Sequence, residues 1–159
     1  MSTPDVKIIE LEPLHIAGFH SFGTEPESGA FAKLKAWLTK HDRMATVHEQ
    51  RIFGFNNPSP STGSPNYGYE VWITVEPEVE AEDEMEVKDF EGGLYAMLAC
   101  QVESGEEIPD HWQQLLNWLA ASPYNQATHQ WLEEHHWSGE GEDPFGGQLT
   151  LDLYAPVSK

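Results

Sequence analysis

Two stretches of this chain repeat one apolar spacing at a distance of 81 positions. Phe31, Leu34, Trp37 and Leu38 answer to Trp112, Leu115, Trp118 and Leu119. Each set falls at i, i+3, i+6 and i+7, which is one face of a helix. Sliding the whole chain by 81 extends the match without a gap. Val6-Lys7 falls on Val87-Lys88, Glu10 on Glu91 and His48 on His129. "HIAGFH" falls on "AMLACQ" and "EVWITV" on "LDLYAP", strand on strand. Identity between the halves is low, and the order of element types is the stronger signal. The expectation is an α+β fold of duplicated strand–helix–strand–strand units. Antiparallel sheet from the two units would join about a pseudo-twofold axis, with two main helices and a central cleft where the halves meet.

The local patterns fill in the unit. "VKIIELEPLHIAGFHSFG", broken at Pro13, reads as one extended entry strand with a bulge at the proline. The first helix is "PESGAFAKLKAWLTKHD", with Glu25 and Glu27 at the end the macrodipole favours for acids and Lys40 and His41 at the other. "QRIFGF" and "YGYEVWITV" read as strands, and "NNPSPSTGSPN" between them as a loop. "EPEVEAEDEME" reads as a solvated acidic connector. "VKDFEGGLYAMLACQV" is an extended pair turning at Gly92-Gly93, and Pro109 suits the first turn of the second helix. "SGEGEDPFGG" reads as a loop and "QLTLDLYAPV" as a closing alternating strand.

Charge narrows the function classes. Lys plus Arg number 8 against 27 Asp plus Glu, a net charge of −19. Such a surface repels phosphate backbones and anionic membranes, so the expected partner is a small hydrophobic or cationic ligand, with no direct nucleic-acid binding and no membrane. A protein partner stays open. Cys100 is the only cysteine, which removes a disulfide framework and a cysteine zinc cluster. No signal peptide or long apolar run is present, and a cytoplasmic location is expected.

The repeat singles out "WLEEHHW", residues 131–137. It corresponds to the "QRIFGF" strand of the first half, yet Glu133 and Glu134 stand where Ile52 and Phe53 stand. In a strand, His129, Trp131, Glu133 and His135 share one face and Leu132 and Glu134 the other. A carboxylate among aromatic rings either takes up a proton or awaits a cation. A delocalised organic cation would offset the desolvation cost and stack on indole faces. The competing reading is an exposed strand residue in an acidic protein. In "YGYEVWITV", Glu70 and Trp72 share a face, and Tyr69 lies on the other with Tyr67, Val71 and Ile73. The second set is the more core-like, which leaves Glu70 and Trp72 for a cleft or for water. Trp112 serves either helix–sheet packing or the cleft. A metal is not expected: at roughly 3.3 Å per residue His129 and His135 stand about 20 Å apart in a strand and cannot meet at one ion. No phosphate-cradling glycine loop and no G-x-S-x-G elbow appears, so no nucleotide or serine-hydrolase chemistry and no cofactor is expected.

The ordered set of two "WL" helices, the "L-E-x-[YH]" strand and the closing "LYAPV" resembles the GyrI-like effector-binding domains, over about residues 5–158. The resemblance implies one domain across 1–159, with pseudo-repeats at approximately 5–76 and 86–157. It implies a stand-alone binder of amphipathic, cationic or aromatic compounds, with no DNA-binding helix-turn-helix ahead of it. It also implies an aromatic cleft between the halves with a central glutamate, which falls on Glu133. The family usually has Tyr two places later, where this chain has His135. The expected ligand-binding set is Glu133, Trp131, His135, Glu70, Trp72, Tyr69 and Trp112. Two other readings go with the resemblance. One is a hydrolase of reactive cyclopropane-bearing antibiotics, in which Glu133 would orient or deprotonate water. The other is a protein-interaction module such as a gyrase inhibitor.

Overall fold

The computed structural model describes residues 5–57, 61–82, 84–103, 107–137 and 149–159. The loop expected over 138–147 and part of that over 56–66 lie outside them. In chain order the elements are β1 (Val6–Leu11), β2 (Leu14–Gly23), α1 (Pro26–Lys40), a 3-10 turn (Met44–Glu49), β3 (Ile52–Asn56) and β4 (Tyr67–Thr74). After them come β5 (Glu86–Phe90), β6 (Gly93–Val102), α2 (Ile108–Ala120), β7 (Asn125–Gln126), β8 (Leu132–His135) and β9 (Leu149–Ser158). Both helices open on a proline in their first turn, where its missing N–H costs nothing. Among the described residues no helix is long and apolar enough to cross a membrane.

The strands form one antiparallel curled sheet in the order β1-β6-β9-β8-β3-β4-β2-β5, with β7 on β9. Each half contributes a matching block, and the blocks meet where β3 pairs with β8. The entry segment is two strands rather than one. Pro13 separates them, and they go to opposite ends of the sheet: β1 pairs with β6 of the second half, while β2 pairs with β4 and β5. Each block thus takes its edge strand from the other repeat, β1 of the first lying on β6 and β5 of the second on β2, which ties the halves together.

The gapless offset needs one correction. Ala17 of β2 faces Ile73 of β4, and Leu98 of β6 faces Leu153 of β9. Ala17 and Leu98 are 81 apart, whereas Ile73 and Leu153 are 80 apart. The link between the last two strands of the unit is one residue shorter in the second half. Side chains alternate along a strand, so the overlay of "EVWITV" on "LDLYAP" at 81 would put Glu70 and Trp72 on the wrong face.

Three apolar clusters follow from this layout. α1 packs Phe31, Leu34, Trp37 and Leu38 on Ala17, Phe19, Tyr69, Val71 and Ile73. α2 packs Leu115 and Leu119 on Leu98, Cys100, Leu151 and Leu153. The third cluster is made of strand residues on the helix-free face, among them Phe53, Phe55, Trp72, Phe90, Tyr95, Leu132 and Tyr154. The acidic connector is not wholly solvated. Its Glu82 accepts bonds from Lys40, His41 and Trp37 at the end of α1, and the Lys40 bond leads in holding its carboxyl down at about 2.

Candidate functional site

The seam between β3 and β8 places Gly54 opposite Glu133 and Phe53 opposite Glu134. Strand alternation then sends Glu133 and His135 to the helix-covered face and Leu132 and Glu134 to the other, as the period of two requires. Only Leu132–His135 is strand; residues 129–131 lead into it outside any strand, which corrects the longer strand expected there. His129 turns away, with Nε2 2.7 Å from the Leu94 carbonyl oxygen and its ring against Tyr95.

Glu133 lines a cavity of about 320 Å³ between α2 and the seam, together with Trp112, Trp131, Leu116, Gly54 and Gln130. The Trp112 and Trp131 rings stand 5.6 Å apart at 60°, forming one wall. Trp112 donates its indole N–H to Glu133 Oε1 at 3.1 Å. Tyr69, fully buried on β4, donates its hydroxyl to Glu133 Oε2 at 2.9 Å and lies 2.8 Å from His135 Nε2. It reaches β8 from β4 only because β3 has no side chain in the way. A Cβ at Gly54 would stand 2.6 Å from Tyr69 Cζ and 2.7 Å from Cε2. Burial pushes the Glu133 carboxyl above its ordinary range; the Trp112 and Tyr69 bonds oppose this and the Glu27 charge adds to it. His135 lies beneath the cleft rather than in its wall, with its ring on edge to Phe31 at 5.2 Å. Burial brings its pKa down to about 3, so it is the neutral imidazole.

The expected set therefore divides. Glu133, Trp131, Trp112, Tyr69 and His135 come together on the helix-covered side. Glu70 and Trp72 do not join them, because they point to the opposite face of β4. There Glu70 accepts from Trp72 Nε1, from Asn57 Nδ2 and from Lys88 Nζ at 2.7 Å. The bonds from Lys88 and Trp72 outweigh burial and hold its carboxyl below the usual range. Glu70 and Lys88 border a second, more polar hollow of about 770 Å³. Trp72 packs between Phe55 and Phe90 in the third cluster. Glu134 meets Arg51 in a two-pronged pair at 2.8 and 2.9 Å, with Tyr154 donating at 2.7 Å. Those bonds overcome burial and lower its pKa.

Four participants were not anticipated in these roles. Gly54 opens the space, and Gln130 lines the cavity. Tyr67 donates into the Glu27 carboxylate, 2.6 and 2.8 Å from its oxygens, bringing a second acid from α1 toward the cluster. The available signal was Gly54, a glycine inside an apolar strand, which marks close approach by another group.

A family model for the integron-associated effector binding protein, Cass2, matches residues 7–157. Solved structures share the fold at low identity. The EcmrR C-terminal domain matches with a TM-score of 0.71 and 11% identity, covering 99% of each chain. An integron cassette protein from the mobile metagenome of Vibrio cholerae matches at 0.55 and 14%, covering 96% of this chain and 95% of that one. SAV2435, solved bound to tetraphenylphosphonium, matches at 0.55 and 11%, covering 97% and 94%. No curated protein sequence matches the chain. One expectation is overturned here. Nucleic acid was set aside as a partner on charge, yet the fold covers 59% of a chain in an EcmrR–DNA complex, at a TM-score of 0.73 and 12% identity. Surface charge bears on phosphate contacts of this surface and not on whether a domain of this fold works within a DNA-bound assembly. The two helices and the two-block antiparallel sheet are those of a GyrI-like fold, and with its family model spanning nearly the whole length, this chain belongs to the Cass2 integron-associated effector-binding proteins.

Proposed function

We propose that this chain, as a single domain of two repeats at about 5–76 and 86–157, binds an amphipathic organic cation in the cleft between α2 and the β3–β8 seam. Glu133 is the counter-charge and the Trp112–Trp131 wall the stacking surface. One contrast carries the reading. Glu134 has Arg51, Glu70 has Lys88 and Glu82 has Lys40. Among the described residues no Lys or Arg pairs with Glu133, whose bonds come from the neutral donors Tyr69 and Trp112. The nearest basic group is the neutral His135, 3.9 Å away. A carboxylate taken from water without a cation is costly, and a ligand cation supplies the missing partner. The tetraphenylphosphonium held by SAV2435 is a ligand of this kind.

The test is a titration with a rhodamine followed by Trp fluorescence. Removing a desolvated charge partner costs on the order of 2–5 kcal/mol, so Glu133→Gln should weaken cation binding at least ~10-fold. A neutral aromatic ligand of similar size should lose much less. The net charge of −19 attracts any cation, but that attraction fades with salt, whereas a buried pair is little screened. Equal cation affinity of Glu133→Gln and wild type at high salt would refute the reading.

A further inference from the structure

We propose that this cleft exchanges a proton for a cation: the free protein holds Glu133 as the carboxylic acid, and an organic cation entering beside it releases that proton to water. The proposal rests on the cation reading above and adds how the site handles charge. Its basis is the row of heavy atoms Glu133 Oε2, Tyr69 Oη and His135 Nε2, joined at 2.9 and 2.8 Å. A phenol has one hydrogen, so only one neighbour can receive it. Two arrangements satisfy the row without moving a heavy atom. In the acid form, Glu133 O–H donates to Tyr69 Oη, and Tyr69 donates to His135 Nε2. In the carboxylate form, His135 Nε2–H donates to Tyr69 Oη, and Tyr69 donates to Glu133. Neither form needs a charged imidazole. One O–H bond at Glu133 breaks and its proton is released to water. The neutral His135 passes from the Nδ1–H to the Nε2–H tautomer, one N–H bond breaking as the other forms, and the ligand's positive charge takes the place of the released proton. The site is electrically neutral before and after.

The groups that face Glu133 favour the acid when the cleft is empty. From α1 comes Glu27, an acid, bonded to Tyr67. From α2 comes Trp112, from β4 Tyr67 and Tyr69, from the lead-in to β8 Trp131, and from β8 itself the neutral His135. From β6 comes Cys100, which burial first, then the charges of Asp152 and Glu133, raise to about 11. β3 presents Gly54 and β9 presents Leu153 at the pairing positions. Each is neutral or negative, and none offsets a charge on Glu133. The direction of the Glu133 shift, upward through burial, agrees.

The sign follows. Glu133 is the acid at low pH and must lose its proton to accept a cation. Cation affinity is therefore lowest in acid and rises by up to about tenfold per pH unit, until the pH passes the raised carboxyl pKa. The experiment is calorimetric titration of the intact protein with tetraphenylphosphonium, a permanent cation with no proton of its own. It runs from about pH 4.5 to 8 in paired buffers of different ionisation enthalpy. The expected result is release approaching one proton per bound cation on the acid side, declining to none at high pH. Glu133→Gln should abolish the release. Glu27→Gln should keep it and move it to lower pH. Binding with no proton release anywhere in the window overturns the proposal and leaves the cation reading standing. Release that persists in Glu133→Gln assigns the proton elsewhere and also overturns it. No tetraphenylphosphonium binding at any pH removes the cation reading and the proposal with it.

Discussion

Gly54 is the position where one methyl group should do the most damage. Its Cβ would stand 2.6 Å from Tyr69 Cζ and 2.7 Å from Cε2, against ~3.5–4.0 Å for a relaxed carbon contact. The ring cannot simply step aside. Tyr69 is 2% exposed, and its hydroxyl is committed to Glu133 and His135. Forcing a methyl into a packed core costs about 1–3 kcal/mol. Two displaced hydrogen bonds add about 1 kcal/mol each. Against this, alanine gains roughly 0.5–1 kcal/mol over glycine in a strand. Gly54→Ala should therefore destabilise by about 2–4 kcal/mol, a large share of the ~5–15 kcal/mol of a whole domain. The assay is urea unfolding followed by Trp fluorescence, on Gly54→Ala, Tyr69→Phe and the double variant. Phe at 69 removes the hydroxyl that the methyl crowds and gives up the bonds the methyl would break. The two changes should then be less than additive by at least ~1 kcal/mol. Gly54→Ala within about 0.5 kcal/mol of wild type, or an additive cycle, would show that Tyr69 does not cross β3 at this point.

Two further outcomes are expected. His135 has its pKa lowered by burial to about 3, so its contribution is whole above the unfolded value near 6.5 and is lost as pH falls toward 3. The loss at pH 5 is about 2 kcal/mol, and the urea midpoint of His135→Gln should fall less than that of wild type between pH 7 and 5. Arg51→Met leaves the buried Glu134 with Tyr154 but without its cation; it should cost about 1–3 kcal/mol, and Arg51→Met with Glu134→Gln should be more stable than Arg51→Met by itself.

What the sequence disclosed depended on whether the information was local. Helical periodicity placed Phe31, Leu34, Trp37 and Leu38 against one half of the sheet and their counterparts against the other. Alternation separated Glu133 and His135 from Leu132 and Glu134 correctly. Pairing is not local, and there the reading failed. Nothing in "VKIIELEP" says that β1 crosses to β6, because its alternation suits any neighbouring strand equally well. The same limit hid the step from 81 to 80: a strand moved by one residue is still a strand, and only register against β6 exposes the flip. Glu70 and Trp72 were set in the cleft because their face looked less core-like than that of Tyr69. Tyr69, Val71 and Ile73 do pack beneath α1, but the curled sheet buries Trp72 as well and Lys88 neutralises Glu70, while Tyr69 also reaches the cleft through a gap that a glycine leaves.

The seam also explains why a duplicated fold holds a single carboxylate at its centre. Three consecutive positions differ between the halves: Ile52 against Glu133, Phe53 against Glu134 and Gly54 against His135. Phe53 and Glu134 face each other across the seam, so these positions surround the pseudo-twofold axis. Had the halves been alike there, two glutamates would share the helix-covered face on either side of it, with no described Lys or Arg beside either. Two acids that close strengthen each other's hold on a proton, so one entering cation could displace only one of the two. Ile52 removes the second acid. Gly54 gives up a side chain so that Tyr69 can bring a hydroxyl to the first. His135, at the position corresponding to Gly54, holds that hydroxyl from the far side. One half supplies the space and the phenol, and the other supplies the carboxylate and the imidazole. The chemistry of the cleft therefore resides where the repeat departs from itself, and a substitution that restores likeness, such as Glu133→Ile, removes the charge while leaving the sheet pairing intact.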